Sequence, residues 1–155
     1  AENYLAATYL LNEIASKCSY PFVIAGLNPP QELKNLAAQF KNVQLISNPE
    51  DAKMSQLIKE AHVNLLLTFQ ATGLKLKLLN VLYSGRFCLV NNEMLSGTGL
   101  TELCEIGNSP KELISKLEQL FKKEFSGEEI DKRKSVLQKN YSNQSNGNKL
   151  LELLP

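Results

Sequence analysis

The segment from Leu65 to Val90 constrains the fold of this chain more than any other. The run from Val63 to Leu67 is short, apolar and without polar alternation, which is typical of a strand buried on both faces of a parallel sheet. A glycine turn at Gly73 and an unbroken helical pattern from Leu74 to Ser84 follow. Phe87 to Val90 then predicts the next strand. The segment therefore predicts a strand, a helix and a second strand, the unit from which parallel α/β sheets are built.

The same alternation extends along the rest of the chain. It predicts an α/β fold, with a Rossmann-like doubly wound parallel sheet of about five strands, flanking helices, and C-terminal helices packing on the sheet. A helical pattern from Asn3 to Lys17 precedes every predicted strand, whereas such sheets usually begin on their central strand. A missing first strand, or a chain cut from a longer protein, would account for this order. The strands are expected at 22–25, 43–46, 63–67, 87–90 and 103–106, and the C-terminal helices at 110–121, 126–140 and 148–154.

Length and composition indicate one globular domain over residues 1–155. Hydrophobic residues make up 43% and charged residues 21% of the 155 residues, a composition that argues against disorder. Seventeen Lys and Arg against sixteen Asp and Glu leave a net charge of +1, which gives no reason to expect nucleic acid as a partner. No apolar run is long enough for a transmembrane segment and no signal segment is recognisable, so we expect a cytoplasmic protein.

Several common kinds of chemical site are not predicted. His62 is the single histidine, and its place between a helix and a strand favours a structural role. The carboxylates form no D-x-D or H-x-E pattern, so no metal site is expected. Cys18, Cys88 and Cys104 are far apart in sequence, which favours free thiols over disulfides or zinc. Neither a P-loop nor a G-x-G-x-x-G turn is present.

The glycine turn of the central segment is the best candidate for a binding site. Gly73 precedes a helix, and a helix start presents free backbone N–H groups to anions at the carboxyl end of a sheet. Lys75 and Lys77 add positive charge there. Gly73, Lys77, Asn80 and Ser84 are spaced four, three and four apart and share one helix face. This stripe predicts either the lining of a cleft or the solvated side of a surface helix.

Two polar segments after the next strand have similar alternatives. Asn91 and Asn92 directly follow a strand end, where ligands bind in such sheets, but asparagine is also a common turn residue. Gly97, Thr98 and Gly99 fit either a second loop facing phosphate or sugar, or a plain flexible turn.

The run from Thr72 to Asn80, followed by Ser84-Gly85, resembles a known pattern. It is similar to the G-T-G-I-K-x-K-x-x-E-A-x-x-x-G segment in the carboxy-terminal domain of group 1 glycosyltransferases of the GT-B fold. Other matches in order are Asn3 to Leu11 with N-x-x-A-x-x-x-L, Val23 to Gly26 with viaG, Asn42-Val43 with nV-x-x-x-G, Ala61 to Val63 with A-d-v, and Ser96 to Leu100 with g-x-x-G-l.

The resemblance implies a donor-binding domain for a nucleotide-diphosphate sugar. It would be half of a retaining glycosyltransferase of bacterial polysaccharide or glycoconjugate synthesis, and an amino-terminal acceptor-binding domain, absent here, would be its partner. The full-length enzyme would be cytoplasmic, with a peripheral place at the inner membrane as an option. The donor is a substrate, so no separate cofactor is implied, and the isolated domain is not expected to be active.

The resemblance also implies roles for particular residues. Thr72, Gly73 and Leu74 would offer backbone N–H groups to the diphosphate, and Lys75 or Lys77 would neutralise it. Asn80 stands where the family has a glutamate that hydrogen-bonds the ribose, and Thr72 stands in place of a second glutamate. Gly97 and Gly99 belong to the loop after the next strand. Because both glutamates are missing, a non-catalytic Rossmann-like binding or scaffold module is the alternative, and no catalytic residue is assigned.

Overall fold

The computed structural model describes residues 2–70 and 75–141 of the chain. These residues form five strands: β1 (Phe22–Gly26), β2 (Val43–Ser47), β3 (Val63–Leu66), β4 (Phe87–Val90) and β5 (Glu105–Ile106). The α-helices in this part are α1 (Glu2–Tyr9), α2 (Gln31–Ala37), α3 (Asp51–Glu60), α4 (Leu76–Ser84), α5 (Asn92–Leu95), α6 (Pro110–Phe121) and α7 (Gly127–Tyr141). The helix expected at 148–154 lies outside the described residues.

The α/β class and the parallel direction of the strands are confirmed, but the prediction of one sheet of about five strands is wrong. β1 pairs with β2, and β3, β4 and β5 form a separate sheet in that order. All three pairings are parallel. Within residues 2–70 and 75–141 no strand pairing joins β1 to β3. The alternating pattern fixes the number and the direction of strands, whereas the split depends on which strands are neighbours, and a hydrophobic pattern does not contain that information.

Helices cover the strands on both faces. On one face Leu113, Leu117 and Leu120 of α6 pack with Phe87 and Leu89 of β4. On the other face three helices pack with the remaining side chains of the same strand. These contacts join Leu78, Val81 and Leu82 of α4, Met94 and Leu95 of α5 and Leu137 of α7 to Cys88 and Val90. The expectation that the C-terminal helices pack on the sheet is met by α6 and α7.

The first helical segment runs across both sheets. After α1 it continues as a π-helical segment, Leu10–Ile14, and a 3₁₀ turn, Ala15–Lys17. Leu11 packs with Ile24 of β1 in one cluster, and Ile14 packs with β3 and β4 in another. This segment therefore holds the two sheets beside each other, although no ladder of hydrogen bonds does so in the described residues.

Two helix ends follow the sequence pattern for different reasons. Ser109 caps α6 as the sequence predicts, since its Oγ accepts a hydrogen bond from Glu112 N at 3.2 Å. α4 ends at Ser84 before Gly85, as expected, but Gly85 is extended, at φ −91°, and not left-handed as a C′ glycine usually is. Close approach explains the glycine instead, because a Cβ there would lie 2.6 Å from Asn64 Nδ2.

No helix in the described part of the chain is long and apolar enough to cross a membrane.

Candidate functional site

The carboxyl ends of β3 and β4 are tied together by the side chain of Asn91. Its Nδ2 donates to Thr68 O at 2.6 Å, and its Oδ1 accepts from Thr68 N at 3.2 Å. Both residues are buried. Thr68 then turns the chain outward, because its Oγ1 and the backbone of Gln70 exchange longer bonds of 3.3 and 3.4 Å. The Asn91 side chain thus joins the ends of β3 and β4. This favours the interpretation of Asn91 as a turn residue over its interpretation as a residue that contacts a ligand.

Charged groups from three segments meet at the end of β3. Glu2 Oε1, at the start of α1, accepts a hydrogen bond from Gln70 N at 3.2 Å. Lys75 Nζ, just before α4, donates to Gln70 O at 2.9 Å. Lys77 Nζ, in the first turn of α4, donates to Asn3 Oδ1 at 3.2 Å. We call Glu2, Asn3, Gln70, Lys75 and Lys77 the edge cluster.

The electrostatics of the edge cluster are mixed. Partial burial lowers the pKa of Lys77, the nearby carboxylate of Glu2 acts against this shift, and Lys75 adds to it. The two ammonium groups are thus close enough to repel each other, and a negative charge between them is favourable. The start of α4 contributes the partial positive charge of a helix N-terminus at the same place.

Thr72, Gly73 and Leu74 lie outside the described residues. Lys75 and Lys77 both lie in the edge cluster. Asn80 is exposed one turn further along α4. Their roles toward a ligand stay predictions.

The turn at residues 97–99 is held by its own contacts. Gly97 and Gly99 have φ values of +73° and +64°, which glycine adopts without strain. Thr98 Oγ1 donates to Leu95 O, and Tyr141 Oη of α7 donates to Thr98 O. The backbone conformation explains both glycines without a ligand, and a role in sugar binding stays a prediction.

His62 and the cysteines take part in packing. His62 Nε2 lies 2.9 Å from Leu120 O, and its ring stacks beside Phe121, in agreement with the structural role predicted. The three cysteines are free. A side-chain hydrogen bond between Cys88 and Cys104 raises the pKa of Cys88, with burial adding to the shift, and lowers the pKa of Cys104.

Sequence reasoning missed Glu2, Asn3 and Gln70, because their partners lie about 70 positions away in the chain and no local pattern connects them. It also missed Arg133, a buried residue of α7. Its guanidinium donates to the carbonyls of Gly85 and Arg86 at 2.8 and 2.7 Å, and to Leu82 O at 3.3 Å. A buried cation therefore stabilises the carboxyl end of α4, opposite the two lysines.

No protein-family model, curated protein or solved structure matches this chain. The resemblance to group 1 glycosyltransferases therefore remains an interpretation of the motifs quoted above.

Proposed function

We propose that the edge cluster binds the diphosphate of a nucleotide-diphosphate sugar, and that the chain is the donor-binding domain of a retaining glycosyltransferase. The observation that carries the proposal is the position of Lys75 and Lys77. Lys75 Nζ donates to Gln70 at the end of β3, and Lys77 Nζ donates to Asn3 at the start of α1. In open α/β sheets, ligands bind at this carboxyl edge.

The position of Glu2 supports an anion site and also limits its strength. A carboxylate already accepts a hydrogen bond from Gln70 N here, so the cluster accommodates a negative group. The same carboxylate offsets part of the positive charge, and a diphosphate would compete with it. We therefore expect weak binding by this domain alone, with a dissociation constant in the millimolar range or just below. This corresponds to a binding free energy on the order of −4 to −5 kcal/mol.

The edge cluster supplies binding and charge neutralisation, and no general acid or base is assigned. Cations beside a departing diphosphate stabilise the charge that develops on it in the transition state, and this would be the contribution of Lys75 and Lys77. The acceptor would come from an amino-terminal domain, so turnover by the chain alone is not expected.

Calorimetric titration with UDP and with GDP tests the proposal. The variants Lys75→Ala and Lys77→Ala should each weaken binding about tenfold or more, because a hydrogen bond to a charged group contributes roughly 1.5–3 kcal/mol. Lys34→Ala, at an exposed position of α2, is the matched control and should bind like the unmodified chain. Absence of heat at millimolar nucleotide, from a chain that is folded by circular dichroism, would count against donor binding.

A non-catalytic binding or scaffold module is the second candidate. It is favoured by the neutral Asn80 on α4 where the family has a carboxylate, and by the carboxylate of Glu2, which lies near enough to Lys77 to offset part of its positive charge. In this case the lysine variants leave nucleotide titrations unchanged at every concentration.

A further inference from the structure

We propose that one more parallel strand fits between β1 and β3, supplied by a strand-forming segment joined to the start of α1. We call the space between β1 and β3 the seam. The proposal is independent of the proposed function, because it concerns the two sheets and not the edge cluster as a ligand site.

The first observation is a pair of facing edges with unused backbone groups. Phe22 N donates to Asn42 O and Gly26 O accepts from Asn48 N. The backbone N–H and C=O groups of every second residue of β1 therefore point toward β2. Because these groups alternate in direction along a strand, the backbone N–H and C=O groups of Val23 and Ala25 point away from β2.

The backbone groups of β3 alternate in the same way. His62 O accepts from Phe87 N, so His62, Asn64 and Leu66 face β4. Val63 and Leu65 face the other way. In residues 2–70 and 75–141 no strand pairs with these two edges. Almost no Cα atom of β1 comes within 8 Å of one in β3, although paired strands lie about 4.7–4.9 Å apart.

The second observation is incomplete burial around the seam. Two of the helices beside β4 bury three residues each, namely Leu78, Val81 and Leu82 in α4 and Leu113, Leu117 and Leu120 in α6. α1 and α3, which lead across the seam, bury none. β4 is buried at every position, whereas Val23 of β1 is 50% exposed. α1, α3 and Val23 are therefore less buried than β4 and the two helices beside it, whereas the continuation of α1 is buried at Leu11 and Ile14.

The third observation is the place where α1 begins. Glu2 contacts Gln70 at the carboxyl end of β3, and the helical segment ends near the amino end of β1, where Asn42 Nδ2 donates to Ala15 O and Cys18 O. β1 and β3 thus run in one direction, and the helical segment runs in the other. A strand that lies in the seam and leads into α1 must end at the carboxyl edge. It therefore runs parallel to both β1 and β3.

The resulting order agrees with a general rule of doubly wound sheets. Their first strand lies in the centre and is followed by a helix that leads to a neighbouring strand. With the added strand, β2 and β1 lie on one side and β3, β4 and β5 on the other, and the two sheets become one.

Hydrogen exchange by NMR tests the proposal on the chain and on an extended version. The extension places the five residues Val-Thr-Val-Ile-Val and a Gly-Asn connector before Ala1, which matches the length of β1. A control extension carries proline at the second and fourth positions, where proline removes the N–H donors. The amides of Val23, Ala25, Val63 and Leu65 are compared with those of Ile24, Asn64 and Leu66, which are internal references because they belong to existing ladders.

In the unextended chain, the seam amides should exchange about tenfold or more faster than the references, since unpaired edges need no opening event. The extension should slow those of both β1 and β3 and raise the midpoint of thermal unfolding, and the proline control should do neither. The proposal is overturned if the seam amides of the unextended monomer are already slow. It is also overturned if a dimer protects them, if the extension protects one strand or none, or if the extended chain is no more stable than the control.

Discussion

The clamp between Asn91 and Thr68 gives a prediction whose size can be worked out. The Asn91 side chain makes two hydrogen bonds to the backbone of one buried residue, Thr68, at 2.6 Å to its carbonyl oxygen and 3.2 Å to its N–H. Asn91→Ala removes both and leaves a buried N–H and a buried carbonyl without their partner. An unsatisfied buried group costs roughly 1–3 kcal/mol, so we expect a loss of about 2–4 kcal/mol. For a chain of this size the melting temperature should fall by about 5–15 °C.

The variant Asn91→Asp makes the hydrogen bond to Thr68 O depend on pH. A protonated carboxyl can donate to Thr68 O as the amide does, whereas a carboxylate cannot and repels this carbonyl. Burial and repulsion raise the folded-state pKa of the new group above its unfolded value near 3.9. The folded state then binds the proton more tightly, so the stability of the variant is greatest below pH 4 and is lost as the pH rises through the folded pKa. An upward shift of two units corresponds to about 2.7 kcal/mol.

Urea unfolding between pH 3 and pH 7 measures both effects, with each variant compared with the unmodified chain at the same pH. The cost of Asn91→Ala should be independent of pH, and the cost of Asn91→Asp should grow with pH. Asn92→Ala is the control, since its exposed side chain makes this a change of about 0.5 kcal/mol or less. A loss below about 0.5 kcal/mol for Asn91→Ala, or a constant cost for Asn91→Asp, would refute the reasoning.

Three further predictions concern other parts of the molecule. Gly85→Ala should lose about 1–3 kcal/mol in chemical denaturation, because the added methyl group meets a side-chain amide at 2.6 Å. Gly127→Ala, with nothing within 4 Å, should not, and equal unfolding midpoints for both would contradict the packing argument. Because burial lowers the pKa of Lys77, nucleotide affinity should begin to fall at a lower pH than for an ordinary lysine. Lys77→Arg should retain affinity to higher pH, and identical pH profiles would exclude a role for this ammonium group. In the folded protein iodoacetamide should modify Cys104 before Cys88, since the pKa of the first thiol is lowered and that of the second is raised. Mass spectrometry of tryptic peptides measures the order of modification, which should disappear in urea. Modification of Cys88 before Cys104 would contradict the prediction.

Local patterns predicted individual elements well. The strand at Phe87–Val90 and the helix at Pro110–Phe121 have the expected bounds, because a continuous apolar run and a Ser-Pro start are complete signals within a few residues. The predicted strand at 103–106 is shorter in the structure, where Thr101–Leu103 is a 3₁₀ turn and only Glu105–Ile106 pairs. The predicted helix from Asn3 to Lys17 contains a π-helical segment that its composition does not indicate.

The arrangement of these elements was harder to predict. The division of the strands into two sheets depends on neighbours in space, and the sequence pattern is the same for either arrangement. Of the candidate site, Lys75 and Lys77 could be recognised from their place at the start of a predicted helix. Glu2 could not, because the hydrogen bond of its carboxylate to Gln70 N joins residues that only the tertiary fold brings together.

The seam also restricts how its occupant can arrive. α1 and its continuation lie over one side, and α3, which leads from β2 to β3 and packs through Ile58 against the α4 cluster, lies over the other. A segment cannot slide in sideways between these layers without lifting one of them. A free peptide added to the folded protein should therefore associate at a rate set by transient opening and not by diffusion, and a covalently attached segment should be incorporated while the chain collapses.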